Sequence, residues 1–187
     1  MKTTDLNNLK LELSLSAKNG IDFIISASII WLLISYIWTL PYSSYDKSVF
    51  TFIIGSFMIP LTLLFSKILK TSWKVKDNPL QPLGLWLNFA QLFYFPFLIF
   101  VLIKQPDYFV MSYVIITGAH FFPYAWFYNE RAYAVIAGII VLGALFFGLY
   151  TPVESLYIIP IFMAVSLMVL AVVLYLTHKI KLNSHEA

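Results

Sequence analysis

Six apolar runs, roughly 21–40, 49–66, 83–103, 108–128, 132–150 and 156–177, fill most of this 187-residue chain and leave it little choice of fold. Each has the roughly 17–25 residues a helix needs to cross a hydrocarbon layer about 30 Å thick. Inside such a layer the backbone must satisfy its own hydrogen bonds, which a helix does within one segment. Composition agrees: 60% of residues are apolar, 11% are charged, and mean hydropathy is +0.83. A soluble domain carries about 25% charged residues, and one core at this length cannot hide so much apolar surface. The predicted fold is all-α, a polytopic transmembrane helix bundle of six spans with the lipid bilayer as its solvent.

Pro41, the Lys70–Pro82 stretch, Pro106, the Asn129–Arg131 corner and Pro152 punctuate the runs. No linker or shift in composition marks a second domain, and no internal repeat points to an inverted-repeat transporter. The expected organisation is a polar leader over 1–20, a six-helix transmembrane domain over 21–177 and a tail over 178–187. With six spans both termini share a side. That side collects Lys2, Lys10, Lys18, Lys67, Lys70, Lys74, Lys76, Arg131, Lys179 and Lys181, against Lys47 and Lys104 on the other. Positive charge marks the cytoplasmic side, so both termini are expected there. The polar residues ahead of the first run, and its own length, argue against a cleaved signal peptide. Within the leader, "LKLELSLS" alternates at period 2, but Leu6, Leu9 and Leu13 also fit a helical stripe. A helix lying on the inner membrane surface is the preferred reading.

Several chemistries lack their residues. There is no cysteine, hence no disulfide, thiolate nucleophile or cysteine metal site. The pI near 9.0 comes from twelve basic residues that flank apolar runs, as membrane borders do, so no nucleic-acid partner is expected. His120 stands alone, because His178 and His185 lie in or beyond the last turn of the sixth run, and no metal-ligand spacing is present. No metal and no cofactor is expected. Paired carboxylates are absent from the middle of every run, which disfavours an ion-driven pump. Asp22 stands at the start of the first run, four residues after Lys18, and is read as a helix-start charge or a partner of that lysine. Glu154 opens the sixth run, and Glu130 with Arg131 is read as an interfacial ion pair or topology charge.

Four prolines fall inside the runs: Pro60, Pro96, Pro123 and Pro160. Each deprives the carbonyl four residues earlier (Ser56, Leu92, Ala119, Leu156) of its usual donor and tends to kink the helix. Ala134, Gly138, Gly143 and Gly148 give the fifth run small residues that let helices approach closely. Gly138 and Gly143 are expected at contacts, and this helix is also where a membrane partner would dock. Among aromatics, Trp73, Trp86 and Trp126 are placed near the inner interface and Trp38, Tyr42 and Tyr45 near the outer one, with Trp31 exceptional at mid-span.

Polar groups within spans are where function concentrates. Asn88 and Gln91 lie three apart on one face of the third run, and Thr117, His120, Tyr124 and Tyr128 form a stripe on the fourth. Counting about 1.5 Å per residue puts Gln91 about 12 Å above Leu83 and His120 about 12 Å above Tyr128. A short turn joins these runs, so Asn88, Gln91, His120 and Tyr124 are expected to converge as a ligand-binding cluster. The competing reading is interhelical packing, where such hydrogen bonds average about 0.6 kcal/mol. No residue is singled out as catalytic.

The segments "NPLQPLGLWLNFAQLFYFPF" and "YVIITGAHFFPYAWFYNERAYAVIAGI" resemble a group of small bacterial multi-pass membrane proteins classed as a domain of unknown function. The resemblance spans roughly residues 79–140, with "ITGAHFFPYAW" its most distinctive piece. It implies a multi-pass protein of the bacterial plasma membrane and carries over neither an activity nor a site residue. Three functions remain open. One is binding or transport of a small, largely apolar molecule held by Asn88, Gln91 and His120 among aromatic rings. Another is a membrane-embedded enzyme acting on a lipid or isoprenoid, with His120 as acid–base and Tyr124 or Glu130 assisting. The last is a non-catalytic partner subunit docking through the fifth helix.

Overall fold

Hydrocarbon-length runs interrupted by proline dictate broken helices, and the computed structural model, which describes residues 3–186, has that form. The leader is helix α1 (Thr3–Ser16). It turns through a 3₁₀ segment at Lys18–Gly20 into α2 (Ile21–Thr39). There follow α3 (Ser44–Gly55), α4 (Met58–Leu69), α5 (Gln81–Leu92), α6 (Phe95–Lys104), α7 (Phe109–His120), α8 (Tyr124–Phe127), α9 (Ala132–Tyr150) and α10 (Ile158–Glu186). No strand occurs among the described residues, so the chain is all-α. The alternation of "LKLELSLS" yields to the helical stripe, with Leu13 buried beneath α1. The tail is no separate segment, because α10 continues through it.

Among the described residues five helical stretches are long and apolar enough to cross a membrane: Lys18–Thr39, Ser44–Leu69, Gln81–Lys104, Ala132–Tyr150 and Val153–His185. The fourth apolar run is missing from that set because its helix is interrupted at Phe121–Pro123. Pro123 has no N–H for the Ala119 carbonyl. That carbonyl instead accepts from Phe122 N at 3.1 Å, an i→i+3 bond that tightens the backbone into a 3₁₀ turn. Pro60, Pro96 and Pro160 act alike. Each sits second or third in α4, α6 or α10, just after the pairs Ser56–Phe57, Phe93–Tyr94 and Leu156–Tyr157 leave the helix. Early in a helix a missing N–H costs little, since the first-turn donors have no intrahelical acceptor.

The centre is α2 packed along α10, with α9 and α7 closing the other flank of α10. Ile24, Ile34 and Trp38 of α2 and Leu167, Leu170 and Leu174 of α10 are fully buried. Lipid is as apolar as leucine, so close packing rather than water exclusion must hold these helices together. Small residues supply it. Gly118 of α7 lies against Ile140 of α9, Gly143 of α9 against the Phe162 ring of α10, and Gly148 against Met111 of α7. Gly138 breaks the expectation: a Cβ there would meet nothing within 4 Å, because it sits on the outward face with Val135 and Leu142. Trp38 is a second correction. It is a core residue rather than part of an outer aromatic belt, and its indole N–H donates to Thr51 Oγ1 at 3.0 Å. Trp31 is buried at mid-helix against Tyr113, ring centroids 5.2 Å apart. Helix α5 buries no residue fully and forms an apolar flank.

Candidate functional site

Of the four residues expected to converge, the structure brings α5 and α7 together through one. Gln91 Nε2 donates to Thr117 Oγ1 at 3.1 Å, a bond between helices. Asn88 is exposed, and its amide donates back to the Gly84 carbonyl of its own helix at 2.8 Å. His120 ends α7, half-buried, with its ring edge-on to Tyr124 at 5.3 Å between centroids. No hydrogen-bond partner for its imidazole is present among the described residues. Tyr124 is buried in a cluster of rings with Phe127, Tyr128 and Tyr133, at 6.1, 5.9 and 5.8 Å. Gln91 meets Thr117 rather than His120, and the depth count along the fourth run fails because α7 ends at His120 and the Phe121–Pro123 turn interrupts the helix it assumed.

The densest polar constellation lies elsewhere, where the ends of α1 and α10 meet the α8–α9 corner. Lys18, Asn19 and Gly20 all have positive φ, at 47°, 57° and 76°, so the α1–α2 turn is left-handed throughout. That conformation is costly for the two non-glycine residues and turns the fully buried Asn19 inward. Ser14 Oγ donates to Asn19 Oδ1. Asn19 Nδ2 donates to the Leu174 carbonyl at 3.2 Å and to Thr177 Oγ1 at 3.3 Å. Tyr133 Oη donates to the Asn19 carbonyl at 2.6 Å. Lys181 Nζ reaches in from α10 to Ser14 Oγ and Asn19 Oδ1, both at 3.0 Å, and to the Tyr128 carbonyl at 3.1 Å. It also pairs with Glu130 Oε2 at 3.3 Å. Glu130 thus pairs with Lys181, not with its neighbour Arg131. The one signal in the sequence was the dipeptide Asn19-Gly20, a turn former that tolerates positive φ.

Around this clasp the same end of the bundle is tied to the α4–α5 loop. The fully buried Asp22 carboxylate accepts from Thr71 Oγ1 and from Trp73 Nε1, the latter at 2.7 Å. Lys18 donates to the Leu69 carbonyl at 2.8 Å, so it does not pair with Asp22. Asn78 Nδ2 donates to Glu12 Oε2 at 2.7 Å, Ser72 N to the Ser16 carbonyl at 2.9 Å, and Lys10 Nζ lies 3.5 Å from the centre of the Trp126 ring.

Two concavities stand out, each of about 240 Å³. One is an open dish on α5 lined by Trp86, Phe89, Leu92 and Phe93. The other lies at the clasped end between the start of α2, the end of α4 and α10, where Lys18, His178 and Lys179 surround an apolar floor of Ile21, Leu69 and Leu182. Among the described residues no group of three or more His, Cys, Asp or Glu side chains is arranged to hold a metal ion.

No curated protein and no solved structure matches the chain. A family model described as a family of unknown function (DUF7010) matches residues 6–177, far beyond the 79–140 segment that carried the resemblance. The chain belongs to that family of unknown function.

Proposed function

We propose that this protein crosses the bacterial plasma membrane six times, with both termini in the cytoplasm, and binds or carries a small, largely apolar molecule between α5 and α7. Parity supports the six crossings. Lys181 near the end of α10 bonds Ser14 of α1, which brings the first and last described helices to one end of the bundle and favours an even number of crossings. The five long apolar stretches, with the α7–α8 segment as a sixth span, fit that parity. The same end holds Lys10, Lys18 and Lys181, and positive charge favours the cytoplasm.

The observation that carries the binding role is the unpartnered imidazole of His120, half-buried among rings beside the Gln91–Thr117 bond. A polar group left without a partner away from water costs about 1–3 kcal/mol, a cost that a ligand's hydrogen-bonding group removes. Gln91, which already reaches α7, orients that group from α5, and Tyr124 walls the seat. His120 has no second titratable partner at hydrogen-bond distance, which favours binding over acid–base catalysis.

Purified protein tests this. Organic extraction and mass spectrometry of wild type should yield a retained apolar molecule, lost from His120→Ala at unchanged thermal stability. Equal retention in both, or none in either, rejects the reading. A second role, docking of a membrane partner on α9, draws on the open space over Gly138. Crosslinking from Leu142 in cells is its test.

A further inference from the structure

We infer that the cleft between α2, α4 and α10 at the clasped end is a seat for one anionic phospholipid, its phosphate held by Lys18, His178 and Lys179 and its first acyl carbons laid on Ile21, Leu69 and Leu182. This site is separate from the His120 region and rests on different observations. The cleft is about 240 Å³ and combines a cationic rim with an apolar floor, the two-part chemistry of an amphiphile at an interface. A free anion would have no use for that floor.

The rim is short of acceptors. Asp22 is committed to Thr71 and Trp73, and Glu130 to Lys181. No carboxylate pairs with Lys18 or Lys179 among the described residues. Lys18 Nζ spends one hydrogen on the Leu69 carbonyl, which fixes its ammonium at the cleft and leaves two donors. Lys179 Nζ rests over the Tyr175 ring, 4.6 Å from its centre, and makes no hydrogen bond among the described residues. Between them His178 Nδ1 is buried without a hydrogen-bond partner. A buried polar atom of that kind asks for an explanation, and a turn of the ring toward the cleft would let it donate to a phosphate oxygen or, unprotonated, accept from a headgroup glycerol hydroxyl. Two ammoniums and an imidazole thus line one pocket, offering a phosphate point charges rather than a bidentate fork.

The full-length protein in detergent, given phosphatidylglycerol or phosphatidylcholine in equal amounts, tests the seat by native mass spectrometry. Wild type should retain one phosphatidylglycerol through mild desolvation and at least tenfold less phosphatidylcholine. Lys18→Gln/Lys179→Gln should lose that retention about tenfold, while Lys74→Gln/Lys76→Gln, with the same loss of charge in the loop, keeps it. Lys179→Gln alone repeats the measurement without touching the Lys18–Leu69 bond, and Leu182→Trp, filling the floor under an intact rim, should lose retention too. Equal retention by the site and loop variants overturns the inference. Displacement of the lipid by millimolar inorganic phosphate, with Leu182→Trp without effect, overturns it in favour of a free-anion site.

Discussion

Lys181 of α10 and Glu130 of the α8–α9 corner form an ion pair at 3.3 Å, with side chains 19% and 9% exposed, and the same ammonium reaches Ser14, Asn19 and the Tyr128 carbonyl. The pair is one edge of a polar knot rather than a surface ornament. Removing one member of a buried pair costs far more than the pair itself contributes, because the remaining charge is stranded. Lys181→Met should destabilise the protein by about 3–5 kcal/mol. Glu130→Gln together with Lys181→Met should recover part of that loss, since the two sites are coupled. Thermal unfolding of the single and double variants in detergent measures both, and strict additivity would rule out the coupling.

Gly20 is the residue the turn into α2 most requires. Its φ is +76°, and a Cβ would stand 3.1 Å from the Tyr128 ring and from Tyr133 Oη. Gly20→Ala meets both a conformational and a steric penalty, with about 1–2 kcal/mol from the left-handed backbone alone. A lower Tm with loss of near-UV dichroism from the Tyr128 and Tyr133 rings is the expected result.

Helix α9 separates two glycines that look alike in sequence. Gly143 abuts the Phe162 ring, while Gly138 faces open space. Gly143→Leu should destabilise by about 1–3 kcal/mol through overpacking, and Gly138→Leu should leave detergent stability unchanged. The same Gly138 variant losing a partner in cells, with its fold intact, is the signature of a docking face.

Asp22 pins the α4–α5 loop through Thr71 and Trp73. Asp22→Ala should free both donors and loosen the loop. Trypsin added to inside-out vesicles should then cleave after Lys70, Lys74 or Lys76 several times faster than in wild type. Unaltered cleavage would mean that the other ties, such as Asn78 to Glu12, suffice.

Reporter fusions check the path of the chain. Fusions after residues 75, 131 and 187 should all read cytoplasmic, and one after residue 105 periplasmic. A periplasmic reading at 131 would show that the broken α7–α8 segment does not cross.

The helices were legible because hydrocarbon demands continuous apolar residues, and the breaks because proline lacks a donor. Gln91 was legible as a residue that reaches a neighbouring helix. Its partner was not, since the break at Phe121–Pro123 undoes a depth counted along one straight helix. The glycines of α9 could not be sorted inward and outward, because an all-apolar helix carries no polar face to orient it. The knot was hidden for another reason: Ser14, Asn19, Glu130 and Lys181 each pass as ordinary polar residues at a membrane border. Glu130 and Arg131 invited pairing by adjacency, but the corner between α8 and α9 turns Glu130 inward to Lys181 and leaves Arg131 exposed.

The knot also orders events in time. Its bonds join Ser14 and Asn19 to Lys181, 167 and 162 positions later, and Asn19 to Leu174 and Thr177. A chain is made from its N-terminus, so Ser14 and Asn19 are synthesised long before the α10 groups that bond them, and this end of the bundle closes only once Lys181 has been added. A copy cut short ahead of Lys181 would leave the buried Asn19 amide oxygen and the Glu130 carboxylate without that ammonium.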